Sequence, residues 1–373
     1  MKPPTIWEKL SLLPKSLPLP VILAYTALIS LFKRNKAKTK HQKTLARVLN
    51  ERTVRYLTSN ISVPQLQWAS PSTTGLYRQW TKKQKIPQAV EYTPEDVAVM
   101  WIGPKDAKDI IVVAHGGGYM LAVSDFMLIF WHYVRRELQR KGHETSIVFF
   151  EYSIYPNTFP TQLKQYIHTL NYILTSQPTA NIHLAGDSAG ANLNLQLFTH
   201  TVRPVTNSDA DVPASPLASA DNAKRIKNVL LISPWTSLGL PAPERPNEED
   251  VDIFAPETIS RWGKLYLEKA NQEHLPYIRF TRDFGFAFKG ISAYIPNSRV
   301  YIFVGAKEIL REDGLGVYGV LKTELSGPES EGDKVFLELQ EDGVHDDPMV
   351  HVATGKELSD VGKGLVDWLA AGL

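Results

Sequence analysis

Gly186-Asp187-Ser188-Ala189-Gly190 places a hydroxyl between two glycines, directly after the apolar run Ile182-His183-Leu184-Ala185. Gly-x-Ser-x-Gly at a strand end predicts a strained strand-to-helix turn that lifts the serine hydroxyl above a sheet. Gly186 and Gly190 permit the close backbone approach such a turn needs. A second segment, His115-Gly116-Gly117-Gly118-Tyr119, follows the apolar run Ile110-Ile111-Val112-Val113-Ala114. A glycine loop in that position offers backbone N–H groups to an oxygen that gains negative charge. Together the two segments describe attack on a carbonyl carbon and stabilisation of the resulting oxyanion. In a chain with 23 glycines, the serine pattern alone also fits a plain structural turn. The glycine loop upstream argues against that, because one mechanism requires both parts. The N–H groups of Gly117, Gly118 and Ala189 are the candidate oxyanion donors. His115 is expected to brace the loop, and Asp187 to point away from Ser188 in a structural role.

A serine hydroxyl is a weak nucleophile and needs a base. A serine on this kind of turn finds its acid and then its histidine later in the chain. His274, His345 and His351 are the histidines that follow the helix behind Ser188. His345, in Glu341-Asp342-Gly343-Val344-His345-Asp346, stands in a turn just beyond the last predicted strand, from which a loop reaches the serine. His351 is expected to begin the next helix and His274 to lie in a cap, so His345 is the preferred base. The acid belongs after the preceding strand, where Glu308, Glu312 and Asp313 compete. Glu308 is nearest the strand end and is preferred. Glu312 and Asp313 also suit the first turn of a helix, where the macrodipole alone favours carboxylates.

These groups must be positioned by a scaffold, and its elements are legible. Strands are predicted at 97–101, 110–114, 146–150, 182–185, 229–232, 300–304 and 335–339. Helices are predicted at 126–138, 163–174, 191–199 and 358–369. Alternating strands and helices mean an α/β fold with a mostly parallel sheet covered on both faces. Arg203 to Ala223, rich in Pro, Ser, Ala and Asp, is predicted to be a mobile surface loop. Pro241 to Phe288 is far longer than an ordinary crossover and carries Trp262, Tyr266, Tyr277 and Phe280. It is read as a cap over the strand ends, the alternative being a peripheral helical insertion.

Composition sets further bounds. The 373 residues are 43% hydrophobic, enough for a large core, and the net charge of +2 argues against nucleic acid as a partner. There is no Cys, which excludes disulfides, thiol catalysis and cysteine–zinc sites. No metal or other cofactor is called for. Leu17 to Phe32 is uncharged and is followed by Lys33, Arg34, Lys36, Lys38, Lys40 and Lys43. A spanning helix needs about 17–25 apolar residues. The run and its basic flank predict membrane association, against the alternative of a helix packed on the catalytic domain. The charge bias favours a cytosolic catalytic domain. Asn60-Ile61-Ser62 is a glycosylation sequon that matters only on the lumenal side, so the orientation stays open. The expected organisation is a hydrophobic segment over 1–35, a helical region contributing to the cap over 36–96, and a catalytic domain over 97–373 with the cap inserted at about 241–288.

On these residues the chain resembles the α/β-hydrolases, in the hormone-sensitive-lipase-like branch near arylacetamide deacetylases and fungal steryl acetate hydrolases. The matching segments are His115 to Gly118, Gly186 to Gly190, Glu151-Tyr152-Ser153-Ile154-Tyr155-Pro156 with Phe159-Pro160, Ser233-Pro234-Trp235, Glu308 to Asp313, and His345-Asp346. They cover the chain from about residue 97 to its end. The resemblance implies an α/β-hydrolase fold with a helical cap and a triad of Ser188, Glu308 and His345. Many relatives have Asp where this chain has Glu308. It also implies a cofactor-independent serine esterase, membrane-anchored in an endomembrane such as the endoplasmic reticulum. The substrate it implies is a small-molecule short-acyl ester of a bulky apolar alcohol, such as a sterol, terpenoid or other secondary metabolite. An acyltransferase or a lyase would use the same triad, and a non-catalytic ligand receptor is the alternative from another class.

Overall fold

In the computed structural model, residues 4–34, 43–205, 211–241, 252–280, 287–325, 334–355 and 357–373 are described. Among them, strands β1 (Val90–Tyr92), β2 (Ala98–Ile102), β3 (Asp109–Ala114), β4 (Thr145–Phe150), β5 (Asn181–Asp187), β6 (Ile226–Ile232), β7 (Arg299–Gly305) and β8 (Val335–Gln340) form one sheet. Its order is β1-β2-β4-β3-β5-β6-β7-β8. Strand β2 runs antiparallel to β1 and β4, and every other pairing is parallel. The chain order reverses direction between β3 and β5, and at such a switch point the loops leaving the strands diverge and open a crevice.

The helices are α1 (Ile6–Leu10), α2 (Leu12–Ser16), α3 (Pro18–Arg34), α4 (Leu45–Asn60), α5 (Val63–Ala69), α6 (Thr73–Gln84), α7 (Asp125–Arg140), α8 (Thr161–Ser176), α9 (Ala189–Val202), α10 (Ala220–Arg225), α11 (Pro256–Tyr266), α12 (Leu275–Ile278), α13 (Arg311–Leu325), α14 (Asp347–Gly355) and α15 (Asp360–Ala370). Successive strand residues point to opposite faces, so the continuous apolar runs feed two cores. Val112, Val148, Leu184 and Ile302 enter a core shared with α8, α9 and α13. Val113, Phe149, Leu230 and Phe303 enter one shared with α6, α7 and α15. Burying each such side chain fully stabilises the fold by roughly 1.5–3 kcal/mol. The result is the α/β-hydrolase architecture expected from the sequence, with helices on both faces of the sheet.

Three expectations need revision. The sheet begins before residue 97: Val90–Tyr92, in a region read as helical, pairs with β2 through Val90↔Met100. The segment is too short to show a strand period, and the pairing with β2 decides its form. The 203–223 segment is built in part rather than a loose loop. Ser215 caps a short 3₁₀ turn over Pro216–Ala218, Leu217 is fully buried, and α10 follows. Residues 206–210 lie outside the described set. Finally, His351 does not begin a helix: α14 starts at Asp347, directly after the His345 turn.

The 43–84 region is helical, and its helices are capped as their sequences dictate. Thr44 and Ser72 accept backbone N–H groups at the starts of α4 and α6, and Ser62 with Gln65 forms a capping box at α5. Tyr77 and Trp80 of α6 are buried against the sheet, with the Tyr77 hydroxyl donating to the Trp101 carbonyl at 2.7 Å. At the N-terminus, α1 to α3 run nearly without a break, and the 25 residues Ile6–Ser30 contain an 18-residue window of mean hydropathy 1.6, long and apolar enough to cross a membrane. Leu17, Val21, Tyr25 and Leu28 lie exposed along one side of it. Polar contacts tie its start to the domain: Gln65 Nε2 donates to Ser11 Oγ (2.9 Å) and the Tyr56 hydroxyl donates to the Lys15 carbonyl (2.6 Å). Lys36, Lys38 and Lys40 of the basic flank, within residues 35–42, fall outside the described residues.

Candidate active site

Parallel strands all end on one edge of the sheet, and four of them deliver the candidate residues there. Strand β5 ends at Asp187 and α9 begins at Ala189, leaving Ser188 as the turn. Its backbone sits at φ +52°, ψ −114°. A non-glycine residue with positive φ is strained and persists only when its surroundings hold it. Here the Ser188 N–H donates to the Ile232 carbonyl of β6 at 2.9 Å, and the Ser188 carbonyl accepts from Asn192 and Trp235. A Cβ on Gly186 would strike the Gly190 backbone, and one on Gly190 would strike the Ala114 carbonyl. Both glycines are therefore demanded by contact.

The glycine loop leaves β3 beside this turn. Gly117 and Gly118 have φ of +101° and +63°, and the Gly117 carbonyl accepts from Met120 and Leu121 at 3.0 Å each. The loop is fixed from both ends. Asp187 Oδ2 accepts the Gly116 N–H at 3.0 Å. His115 is fully buried, stacks on Tyr152 at 4.2 Å and lies 3.3 Å from the Thr73 hydroxyl. Burial pulls the His115 pKa down to about 4. The Tyr152 hydroxyl donates to the His115 carbonyl at 2.6 Å. The N–H of Ala189, first residue of α9, has no intrahelical partner by position.

On the far side of the crevice, the loop after β7 carries Glu308 and the loop after β8 carries His345. Glu308 Oε2 lies 3.3 Å from His345 Nδ1. Glu312 instead forms an exposed ion pair with Arg311 at 2.8 Å. Asp313 Oδ2 accepts the Thr236 and Ser237 N–H groups at 2.7 Å each. Of the three carboxylates in the segment, Glu308 is the one in contact with the imidazole. His274 packs against Phe159 at a ring distance of 5.2 Å, and His351 sits on α14; neither lines the cavity that holds Ser188.

Ser188, Gly117, Gly118 and His345 all line one cavity of about 210 Å³. Its other walls are mostly apolar, among them Val54 and Leu57 of α4, Leu66 of α5, Phe254, Ile259 and Trp262. Trp262 belongs to α11 in the 241–288 insertion, and its ring lies against Gly118, where a Cβ would meet Cε3 at 2.5 Å. Ile253, Phe254, Ile259 and Trp262 of the insertion thus line the cavity. Among the described residues His345 Nε2 has no hydrogen-bond partner, and it lies 3.4 Å from Asp346 Oδ2. Catalytic hydrogen bonds are often loose without substrate and tighten in the complex.

Buried carboxylates surround this imidazole. Burial works against a charged ring, but Asp346, Glu308 and Asp252 outweigh it and raise the His345 pKa to about 10. Burial pushes Glu308 up to about 7, with His345 and Ser233 pulling it back. Burial likewise raises Asp346 to about 6 and Asp187 well above the carboxylate range.

Several residues of the site had no sequence signal. Asp252 ends the acidic run Glu248-Glu249-Asp250-Val251-Asp252, which reads as a solvated charge cluster. It is buried instead, and accepts the His345 N–H at 2.9 Å. Phe254 packs edge-on against the His345 ring at 5.4 Å. Arg47 of α4 is buried against Asp347, two residues beyond the histidine, and pairs with Glu51 at 2.8 Å. Nothing in the chain's local pattern pairs residues so far apart.

Comparison with solved structures shows that the fold is a known one. An esterase of the bacterial hormone-sensitive lipase family is 17% identical, with 88% of this chain and 97% of that one covered at a TM-score of 0.58. Carboxyl esterase 2 of the mycorrhizal fungus Tuber melanosporum is 14% identical, with 76% and 84% covered at 0.55. A fungal esterase from Rhizomucor miehei is 15% identical, with 76% and 80% covered at 0.53. The chain has no match among curated protein sequences. The profile described as steryl acetyl hydrolase matches residues 23–359. The chain belongs to the steryl acetyl hydrolase family, and is a serine carboxylic ester hydrolase of the α/β-hydrolase fold.

Proposed function

We propose that Ser188 is the nucleophile, His345 the general base and Glu308 the acid that orients it, with the Gly117, Gly118 and Ala189 N–H groups as the oxyanion hole. The neutral imidazole takes the Ser188 proton as the hydroxyl attacks the ester carbonyl. Each oxyanion donor contributes on the order of 3–4 kcal/mol of transition-state stabilisation. His345 then protonates the departing alcohol, and water releases the acyl group by the same steps. The observation that carries this reading is the single apolar cavity onto which Ser188, His345 and the glycine loop all face.

The substrate is a short-acyl ester, in the first instance an acetyl ester, of a bulky apolar alcohol such as a sterol or terpenoid. Two things support this: the family description, and the size of the cavity. At about 210 Å³ it is below the usual range of roughly 300–1,000 Å³ for ligand pockets, which suits a small acyl group with the alcohol toward the mouth. The N-terminal helix holds the enzyme at a membrane, its exposed Leu17, Val21, Tyr25 and Leu28 facing lipid. The test is a panel of acetyl, butyryl and long-chain esters with wild type and Ser188→Ala. Acetates hydrolysed fastest, and only by wild type, is the expected result. Faster turnover of long-chain triglycerides defeats the short-acyl assignment. Recovery of the full chain in the soluble fraction defeats the membrane assignment.

A further inference from the structure

One carboxylate of the cap touches both loops that carry the base and its acid. Asp252 is 4% exposed. Its Oδ1 accepts the His345 N–H at 2.9 Å and the Ile253 N–H at 2.8 Å, and its Oδ2 accepts the Ile309 N–H at 2.8 Å. Ile309 is the neighbour of Glu308. The two oxygens of Asp252 thus fasten the backbone at residue 345 to the backbone at residue 309. Two residues on, Phe254 packs against the His345 ring. Arg55 of α4 holds this piece of cap in turn, donating from Nη1 to the carbonyls of Asp252 (3.1 Å) and Phe254 (2.8 Å).

We propose that Asp252 is a positioning residue for ester hydrolysis: it clips the His345 loop to the Glu308 loop, so the base is aligned only while the 252–254 segment of the cap is seated. The proposal rests on the assignment of His345 and Glu308 made above. Its physical basis is geometric. Hydrogen bonds from N–H to a charged acceptor are about twice as strong as neutral ones, and here they connect loops from different strands. A displacement of about 1 Å in a catalytic group can cost on the order of a hundredfold in rate. Asp252 also adds negative charge beside an imidazole already faced by Asp346 and Glu308, with Asp187 close by. Its removal should therefore make the ring easier to deprotonate, an effect separate from alignment.

The experiment compares Asp252→Ala, Asp252→Asn and Asp252→Glu in the full-length enzyme on p-nitrophenyl acetate, beside Ser188→Ala. Active-site titration with a fluorophosphonate corrects each rate for folded protein. Asp252→Ala should lower kcat by about 30–100-fold with KM within about twofold. The acid limb of its pH profile should move down by about one unit, as expected for loss of a close carboxylate. Asp252→Asn keeps the shape but loses the charge and one acceptor, so it should show the same pH shift with a smaller kcat loss. Asp252→Glu should keep the wild-type pH limb. Variants with wild-type kcat and an unmoved pH limb overturn the proposal. So does a loss of activity that matches the loss of titratable protein with no pH shift, because that is a folding role alone. If Ser188→Ala stays active, the nucleophile assignment has failed, a result readable apart from the Asp252 outcome.

Discussion

The turn that presents Ser188 is fixed by the glycines of its own motif packed against the neighbouring strands β3 and β6, whereas the loop that presents His345 is held by residues of the cap and the N-terminal helices. On the nucleophile side, Gly186, Gly190 and the Ala114 carbonyl set the approach, and Asp187 secures the glycine loop. On the base side, Asp252 comes from the cap, and the Ser233 hydroxyl after β6 accepts the Asp346 N–H at 3.0 Å. Arg47 comes from the helix that follows the N-terminal apolar segment. The difference teaches that reactivity and its control are built separately. A motif suffices to raise a hydroxyl above a sheet, whereas the loop that carries His345 is contacted by the cap and by the N-terminal helices.

The sharpest test of the local half is Ser188→Ala. We expect kcat on acetyl esters to fall by about 10⁴-fold or more, as removal of a triad nucleophile does, with thermal unfolding unchanged. A variant with near-wild-type turnover would falsify the local half outright. Next in size is Gly118→Ala. Its φ of +63° is costly for a side chain, and the new Cβ would press on the Trp262 ring. Displacing an oxyanion donor should lower kcat by about 10²–10³-fold with little change in KM. A neutral result would remove Gly118 from the oxyanion hole.

The base side makes its own prediction through pH. A general base works only as the neutral ring, and the carboxylates about His345 hold its pKa at about 10 against the opposing effect of burial. Because the pKa is raised, the active fraction grows as pH rises. The rate at low substrate should climb about tenfold per pH unit on its acid limb and still be rising above pH ~8. A plateau already reached near pH 6 would mean that the ring is not so surrounded.

The same division explains what was legible. Ser188, Gly117 and Gly118 stand in motifs whose spacing carries the chemistry, and the long apolar strands announce a parallel sheet. His345 and Glu308 were proposed from their places after the last strand and the strand before it, and the fold brings the two side chains to 3.3 Å of one another. Asp252 and Arg47 were not, because an acidic run and a helix of mixed charge look solvated until the fold buries them. Strand β1 escaped for a related reason: three residues are too few to show a period, and β2 decides their conformation.

Arg47 offers a smaller, structural perturbation. It is buried with Asp347, which also accepts the Val344 N–H at 3.2 Å and the Gln340 amide at 3.0 Å. Arg47→Met leaves a carboxylate without its cation, and breaking a buried pair costs about 3 kcal/mol or more. We expect a lower unfolding midpoint and a several-fold loss in kcat at temperatures where the variant is folded. The double variant Arg47→Met/Asp347→Asn should recover part of that stability, since the buried Asp347 charge is then gone and Glu51 keeps Lys43 at 2.8 Å. No recovery would show that Arg47 acts through packing alone.

The least effect is expected at Glu312, and it is informative because Glu312 shares a helix start and a sequence neighbourhood with stronger candidates. Its side chain is 54% exposed beside Arg311, and an exposed pair of that kind contributes little. Glu312→Gln should therefore leave kcat, KM and stability within error of wild type, the change in stability under about 0.5 kcal/mol. Asp313→Asn should lower stability, because its Oδ2 collects two backbone N–H groups and the Ser237 hydroxyl. Glu308→Gln should lower kcat steeply, because only Glu308 of the three meets the imidazole. Three carboxylates within six residues thus predict three different readouts. A large kcat loss at Glu312 with little at Glu308 would exchange their roles and place the orienting acid on the helix rather than at the strand end.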